Sequence, residues 1–149
     1  MPEIKINIDL KSDEIISEID STIKEFYNSV FTALNSKNKE DIIYATDEVK
    51  SQVYDVLSKK YFIFKNKYQI SNLDIKMENS EVSYINNEYI ANIVINVSYT
   101  VNKNILGVNI KKDKYKEDFF TKVKYSDGKW IIYKLDNFSI SGIDKTLVE

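Results

Sequence analysis

The chain has 149 residues, 43% of them hydrophobic and 30% charged, with a net charge of -2, the length and composition of one folded domain that buries roughly two-thirds of its unfolded surface. It contains no Cys and no His, which excludes thiol nucleophiles, Ser-His-Asp and Cys-His triads, thiolate zinc sites and imidazole-ligated metals, and leaves Asp, Glu, Lys and Tyr for any acid-base chemistry. All 21 basic residues are Lys; without Arg, the preferred bidentate ligand of guanine and phosphate, and at a negative net charge, no nucleic-acid partner is expected.

Residues 1–11 form an N-terminal arm or strand, in which Ile4, Ile6, Ile8 and Leu10 alternate with polar residues. Ser12 is a good N-cap, with Asp13 and Glu14 behind it. Ile15, Ile16, Ile19, Ile23, Phe26, Val30, Phe31 and Leu34 then predict an amphipathic helix to about Asn35. After the polar break Asn35-Ser36-Lys37-Asn38, the segment from Glu40 to Ala45 reads as a short helical turn carrying Ile42 and Ile43. Thr46 caps a second long helix whose stripe is Val49, Val53, Val56, Leu57, Tyr61 and Phe64, so the helical part spans 12–65.

The period then falls from 3.6 to 2, and an antiparallel sheet is predicted over 68–136. Leu73, Ile75 and Met77 alternate with polar residues, and Val82-Tyr84 leads through Asn86-Asn87, a two-residue hairpin turn, into the next strand. From Tyr89 to Val101 every second residue is apolar, which predicts one buried and one wet face. Residues 102–114 read as a connection, with Gly107 and a run of Lys, although Ile105, Leu106, Val108 and Ile110 are too apolar for an idle loop. Alternation resumes at Tyr115, and Ser126-Asp127-Gly128-Lys129 turns the chain into Trp130-Ile131-Ile132-Tyr133-Lys134-Leu135. The tail, 137–149, carries Phe138, Ile140, Ile143 and Leu147, enough to order it in part against the core or a neighbour. The expected fold class is a single α+β domain over 1–149, with N-terminal helices packed on a curved antiparallel sheet.

Three stretches carry a resemblance: Lys37-Asn38-Lys39-Glu40-Asp41-Ile42-Ile43, Thr46-Asp47-Glu48-Val49 and Asp127-Gly128-Lys129-Trp130-Ile131-Ile132. In this order, between a long helix and a meander, they resemble the nuclear transport factor 2-like superfamily, also called SnoaL-like or the cystatin-like cone. Within it, Thr46-Asp47-Glu48-Val49, the Leu73-Asp74-Ile75 strand and the closing hairpin look most like bacterial relatives of the membrane-binding domain of the mitochondrial import-motor subunit. Similar cones occur in type IV secretion and conjugation scaffold proteins. The resemblance implies a sheet wrapped round the long helix with a cavity at one end, and a homodimer formed sheet to sheet. It includes isomerases, dehydratases and hydrolases beside members that only bind, and its enzymes place His-Asp, Tyr-Asp or Arg in the cavity; His and Arg are missing here.

Asp13-Glu14, Glu40-Asp41 and Asp47-Glu48 sit at predicted helix starts, where negative side chains are stabilised by the helix dipole, so a structural role is expected for them rather than a metal site. A cavity pair of Tyr27, Tyr44 or Tyr99 with Asp74 is the arrangement that would support proton transfer. The interaction candidates are Ile105, Leu106, Val108, Ile110, Lys111 and Lys112, apolar residues beside a basic run that extends to Lys114, Lys116, Lys122 and Lys124. A solvated strand edge is the ordinary role of such lysines. The leading expectation is a non-enzymatic binding or scaffold domain that meets a protein partner or a membrane surface; the alternative is a small-molecule carrier or isomerase-like enzyme using the cavity. No catalytic residue, cofactor or metal ligand is expected. No 18-residue apolar span or signal-like opening is present, so the chain as written is expected to be soluble, either cytoplasmic or an extracytoplasmic domain without its anchor. A cavity open and lined by a carboxylate or Tyr hydroxyl would favour the enzyme; one packed by Phe26, Val30, Ile95 and Trp130 would favour surface binding.

Overall fold

The computed structural model describes residues 12–61, 68–136 and 138–148; the N-terminal arm and Phe64 lie outside them. Helix α1 is Ser12–Ser36, a 3-10 turn covers Lys39–Asp41, and α2, Asp47–Val56, runs on into a π turn, Leu57–Tyr61. The sheet follows as β1 (Tyr68–Ile85), β2 (Glu88–Ile105), β3 (Val108–Ser126) and β4 (Lys129–Leu135). It is an antiparallel meander in the order β1-β2-β3-β4. Helix α3, Ser141–Val148, follows the sheet. This is an α+β fold with N-terminal helices on a curved four-stranded antiparallel sheet, and α3 adds a C-terminal helix to it. No helix among the described residues is long and apolar enough to cross a membrane.

The alternation of β2 decides which face of the sheet is buried. Ala91, Ile93, Ile95, Val97, Tyr99 and Val101 are buried, and register places them beside Val123, Thr121, Phe119, Glu117, Tyr115 and Asp113 of β3. Onto this inner face α1 lays Ile19, Ile23, Phe26, Tyr27, Val30 and Leu34, all buried. Tyr27 stacks on Phe119 at 5.2 Å, Phe31 meets Tyr99 at 5.8 Å, and Phe138 of the tail stacks on the other side of the cluster at 5.9 Å from Phe119. Trp130 closes the core at β4, edge-on to Tyr125. Ile16, counted on the apolar stripe of α1, instead faces outward.

The segment read as a helical turn from Glu40 to Ala45 is helical only to Asp41. Two interactions pull its remainder into an extended path. Ser29 Oγ accepts the Ile43 N–H at 3.1 Å, and the backbone of Tyr44 and Thr46 pairs with Ile132 on the free edge of β4, at 2.8 and 3.0 Å. An edge that would otherwise present unpaired N–H and C=O groups is thereby covered. Thr46 then performs the capping role read from sequence, its Oγ1 accepting the Val49 N–H at 3.3 Å.

Residues 102–114 also differ from expectation. They are not a connecting loop: β2 continues to Ile105, β3 begins at Val108, and Leu106-Gly107 is the whole turn. A register shift between Lys103 and Asn104 interrupts the alternation there, so the period-2 signal fails just where the hairpin persists.

Core and surface aromatics should separate cleanly in denaturant. Phe26→Ala is expected to lower unfolding free energy by about 3–5 kcal/mol, whereas Phe120→Ala, on the outer face and 54% exposed, should change it by less than about 0.5 kcal/mol. Urea titrations of both variants check the assignment of the two sheet faces.

Candidate functional site

Two places in the fold hold chemistry-bearing side chains: the end of the inner face beneath α3, and the tip of the β2–β3 hairpin.

The inner cluster is built from β2, β3 and the start of α3. Tyr99 and Glu117 lie on the buried face, and the Tyr99 hydroxyl donates to Glu117 Oε2 at 2.5 Å. The Ser141 N–H donates to both Glu117 oxygens, at 3.2 and 3.1 Å, and the Gly142 N–H donates to the Tyr99 hydroxyl at 2.8 Å. Glu117 thus acts as a cap for α3 from a distant strand, its charge placed where free helix N–H groups and the helix dipole favour it. Gly142 permits the close approach. A Cβ there would stand 2.5 Å from the Tyr99 oxygen and 2.7 Å from the Tyr115 ring. Deeper in the core, the Tyr27 hydroxyl and Thr121 Oγ1 are paired at 2.7 Å.

Burial, followed by the hydrogen bond to Glu117 and its charge, pushes the Tyr99 hydroxyl well above the ordinary tyrosine range. Tyr27 is pushed up by burial as well, the Thr121 bond opposing it in part. Both stay protonated at neutral pH. The carboxylate is engaged by one hydroxyl and a backbone N–H, and the arrangement clamps α3 to the sheet. Sequence reasoning missed Glu117, Ser141 and Gly142, because nothing local links residues 24 or 43 positions apart; the signal available was a Glu in the inner-facing phase of β3, between Tyr115 and Phe119.

The Tyr-Asp pair weighed from sequence is not assembled. Asp74 stands opposite Ser98 on the outer face and pairs with Lys76 at 3.7 Å, while Tyr27 and Tyr99 face inward and Tyr44 is exposed. Phe26, Val30, Ile95 and Trp130 are all buried in the core. Glu40, Asp41, Asp47 and Glu48 occupy first turns of their helices, and among the described residues no group of carboxylates is arranged to hold a metal. Open clefts lie on the surface, one of about 270 Å³ beside Phe120 and Asn92 and one of about 260 Å³ between Glu18, Glu25 and Trp130.

The hairpin tip is a different kind of site. All three hairpins of the meander turn through two residues with positive φ: Asn86-Asn87 at 51° and 64°, Leu106-Gly107 at 53° and 80°, and Asp127-Gly128 at 52° and 81°. Such turns favour Asn, Asp or Gly at both central positions. Leu106 departs from that rule, in a conformation that disfavours a Cβ-bearing residue by roughly 1–2 kcal/mol. It is also 98% exposed, with Val108 beside it 60% exposed. Of the other candidates, Lys112 is exposed on the outer face, opposite Asn102. Ile105 stands opposite Val108 and Lys111 opposite Lys103, with Ile110 at the register shift between those pairs, and the side chains of these three lie outside the described residues.

No family model and no curated protein matches the chain. Among solved structures it is similar to the crystal structure of the intermembrane space region of chloroplast protein ARC6, with a TM-score of 0.42 and 13% identity over 88% of this chain and 97% of that one.

Two outcomes test the inner clamp. Gly142→Ala should destabilise the fold by about 1–3 kcal/mol through overpacking, read by thermal or urea unfolding. Stability should also fall as pH rises above about 10, where unfolded tyrosines ionise while Tyr27 and Tyr99 still hold their protons; unfolding curves from pH 8 to 11 give the sign, and Tyr27→Phe should flatten the slope.

Proposed function

We propose that this chain is a non-enzymatic binding domain of the nuclear transport factor 2-like cone type that engages its partner through the tip of the β2–β3 hairpin. The observation that carries this reading is Leu106: a fully exposed leucine in a left-handed turn position that the two sister turns fill with Asn and Asp. Backbone strain of this kind clusters at ligand clamps and binding sites, which favours a binding role for the turn. The inner face supports the same reading, since its Tyr and Glu groups are engaged by one another and by α3.

The reading predicts opposite effects of one substitution. Leu106→Asn should raise thermal stability, by roughly 1 kcal/mol of relieved backbone strain, and remove binding. The binding arm is a photo-crosslinking amino acid at position 106 of the protein in its own cells. Adducts to lipid or protein should form at 106 far above those at position 59, on the π turn. Equal yields at both positions would overturn the reading.

A further inference from the structure

We infer that the partner of the hairpin tip is an anionic lipid surface. This rests on the tip being the binding element and adds what it binds. The continuous pairing of β2 with β3 from Ile90↔Lys124 to Lys103↔Lys111 puts Lys112, Lys114 and Lys116 on one face, opposite Asn102, Thr100 and Ser98. That is the outer face, because Tyr99 and Tyr115 stack on the inner one. The three lysines are exposed, and none takes part in an ion pair among the described residues, where the acid-base pairs are Lys24–Asp20, Lys59–Asp55 and Lys76–Asp74. Their cross-strand neighbours are neutral, and Asn102 is occupied by Ser71 at 2.7 Å. The nearest outer-face carboxylates are themselves engaged, Asp74 with Lys76 and Asp118 with the Asn96 amide at 3.0 Å. Asp113 and Glu117 point to the opposite face.

The half of the outer face nearest the tip is therefore a basic row with lysines about 7 Å apart, ending in an apolar knob. A bilayer matches both parts. Leucine and valine enter the headgroup–acyl boundary, and long flexible lysines reach anionic headgroups along an obliquely approaching hairpin. A protein interface fits less well: the cores of specific protein interfaces are depleted in charged residues, Lys among them, whereas the surface beside Leu106 and Val108 is a row of exposed lysines.

The chain has no Cys, so one introduced thiol labels one place. With an environment-sensitive fluorophore on Leu106→Cys or, as control, on Asn87→Cys at the opposite end of the sheet, the full chain is mixed with phosphatidylcholine vesicles with or without 30% phosphatidylglycerol. The expected result is a blue-shifted, brighter signal at 106 but not at 87, with anionic vesicles only. Sedimentation of the unlabelled chain with the same vesicles should fall at least tenfold for Leu106→Asp and for the triple change of Lys112, Lys114 and Lys116 to Glu, and by a steep factor in 0.5 M salt. Equal binding to neutral vesicles would overturn the role of the lysines. No vesicle binding together with protein adducts at 106 in cells would overturn the lipid assignment and leave the hairpin as a protein-binding element; no vesicle binding and no adducts at 106 would overturn both readings.

Discussion

The register of β2 on β3 sets most of what this molecule is. Side chains alternate strictly across a strand, so a one-residue slip would turn one strand over against the other, sending either Ile93, Ile95 and Val97 of β2 to solvent or Lys114 and Lys116 of β3 into the core. Burial of the inner row by α1 makes that slip prohibitive, and Tyr27 and Phe31 lock the same register from the helix side through their ring contacts. Three consequences follow from one pairing: the inner face becomes the core, Tyr99 and Glu117 come together beneath α3, and a lysine row and a leucine knob are left on the opposite side and at the end of the hairpin.

The inner face of the sheet carries the polar groups that meet α3. Here Glu117 and Tyr99 hold the N-terminus of α3, and Gly142 lets the helix backbone close on two tyrosine rings. Phe138, Ile140 and Ile143, buried on the way into α3 and within it, seat the helix further. The polar groups thus serve to attach the C-terminal helix. The chemistry left facing outward is the basic row and the apolar tip, which is why the functional reading moves to the hairpin.

The sequence was most readable where a period repeats. Thr46, with two acidic residues behind it, announced α2, and Asn86-Asn87 and Asp127-Gly128 announced their hairpins because those residues tolerate positive φ. It misled where tertiary contacts override local signals. Ile42 and Ile43 look helical, but Ser29 and the edge of β4 draw that stretch into extended backbone. The end of the β2–β3 hairpin looked like a loop because a register shift breaks the alternation and because leucine is an improbable turn residue. Leu106 was legible as a candidate only as one of several apolar residues beside a basic run; its place at the turn emerges from the fold. The Glu117 clamp was invisible for a simpler reason: it joins a strand to a helix start with no local pattern connecting them.

The most direct test of this account is hydrogen exchange on the intact chain, measured residue by residue with and without phosphatidylglycerol-containing vesicles. The account predicts slowed exchange confined to the distal β2–β3 hairpin, with α1 and α3 unchanged. Protection centred on α3 and the Tyr99–Glu117 clamp, or no change anywhere, would contradict it.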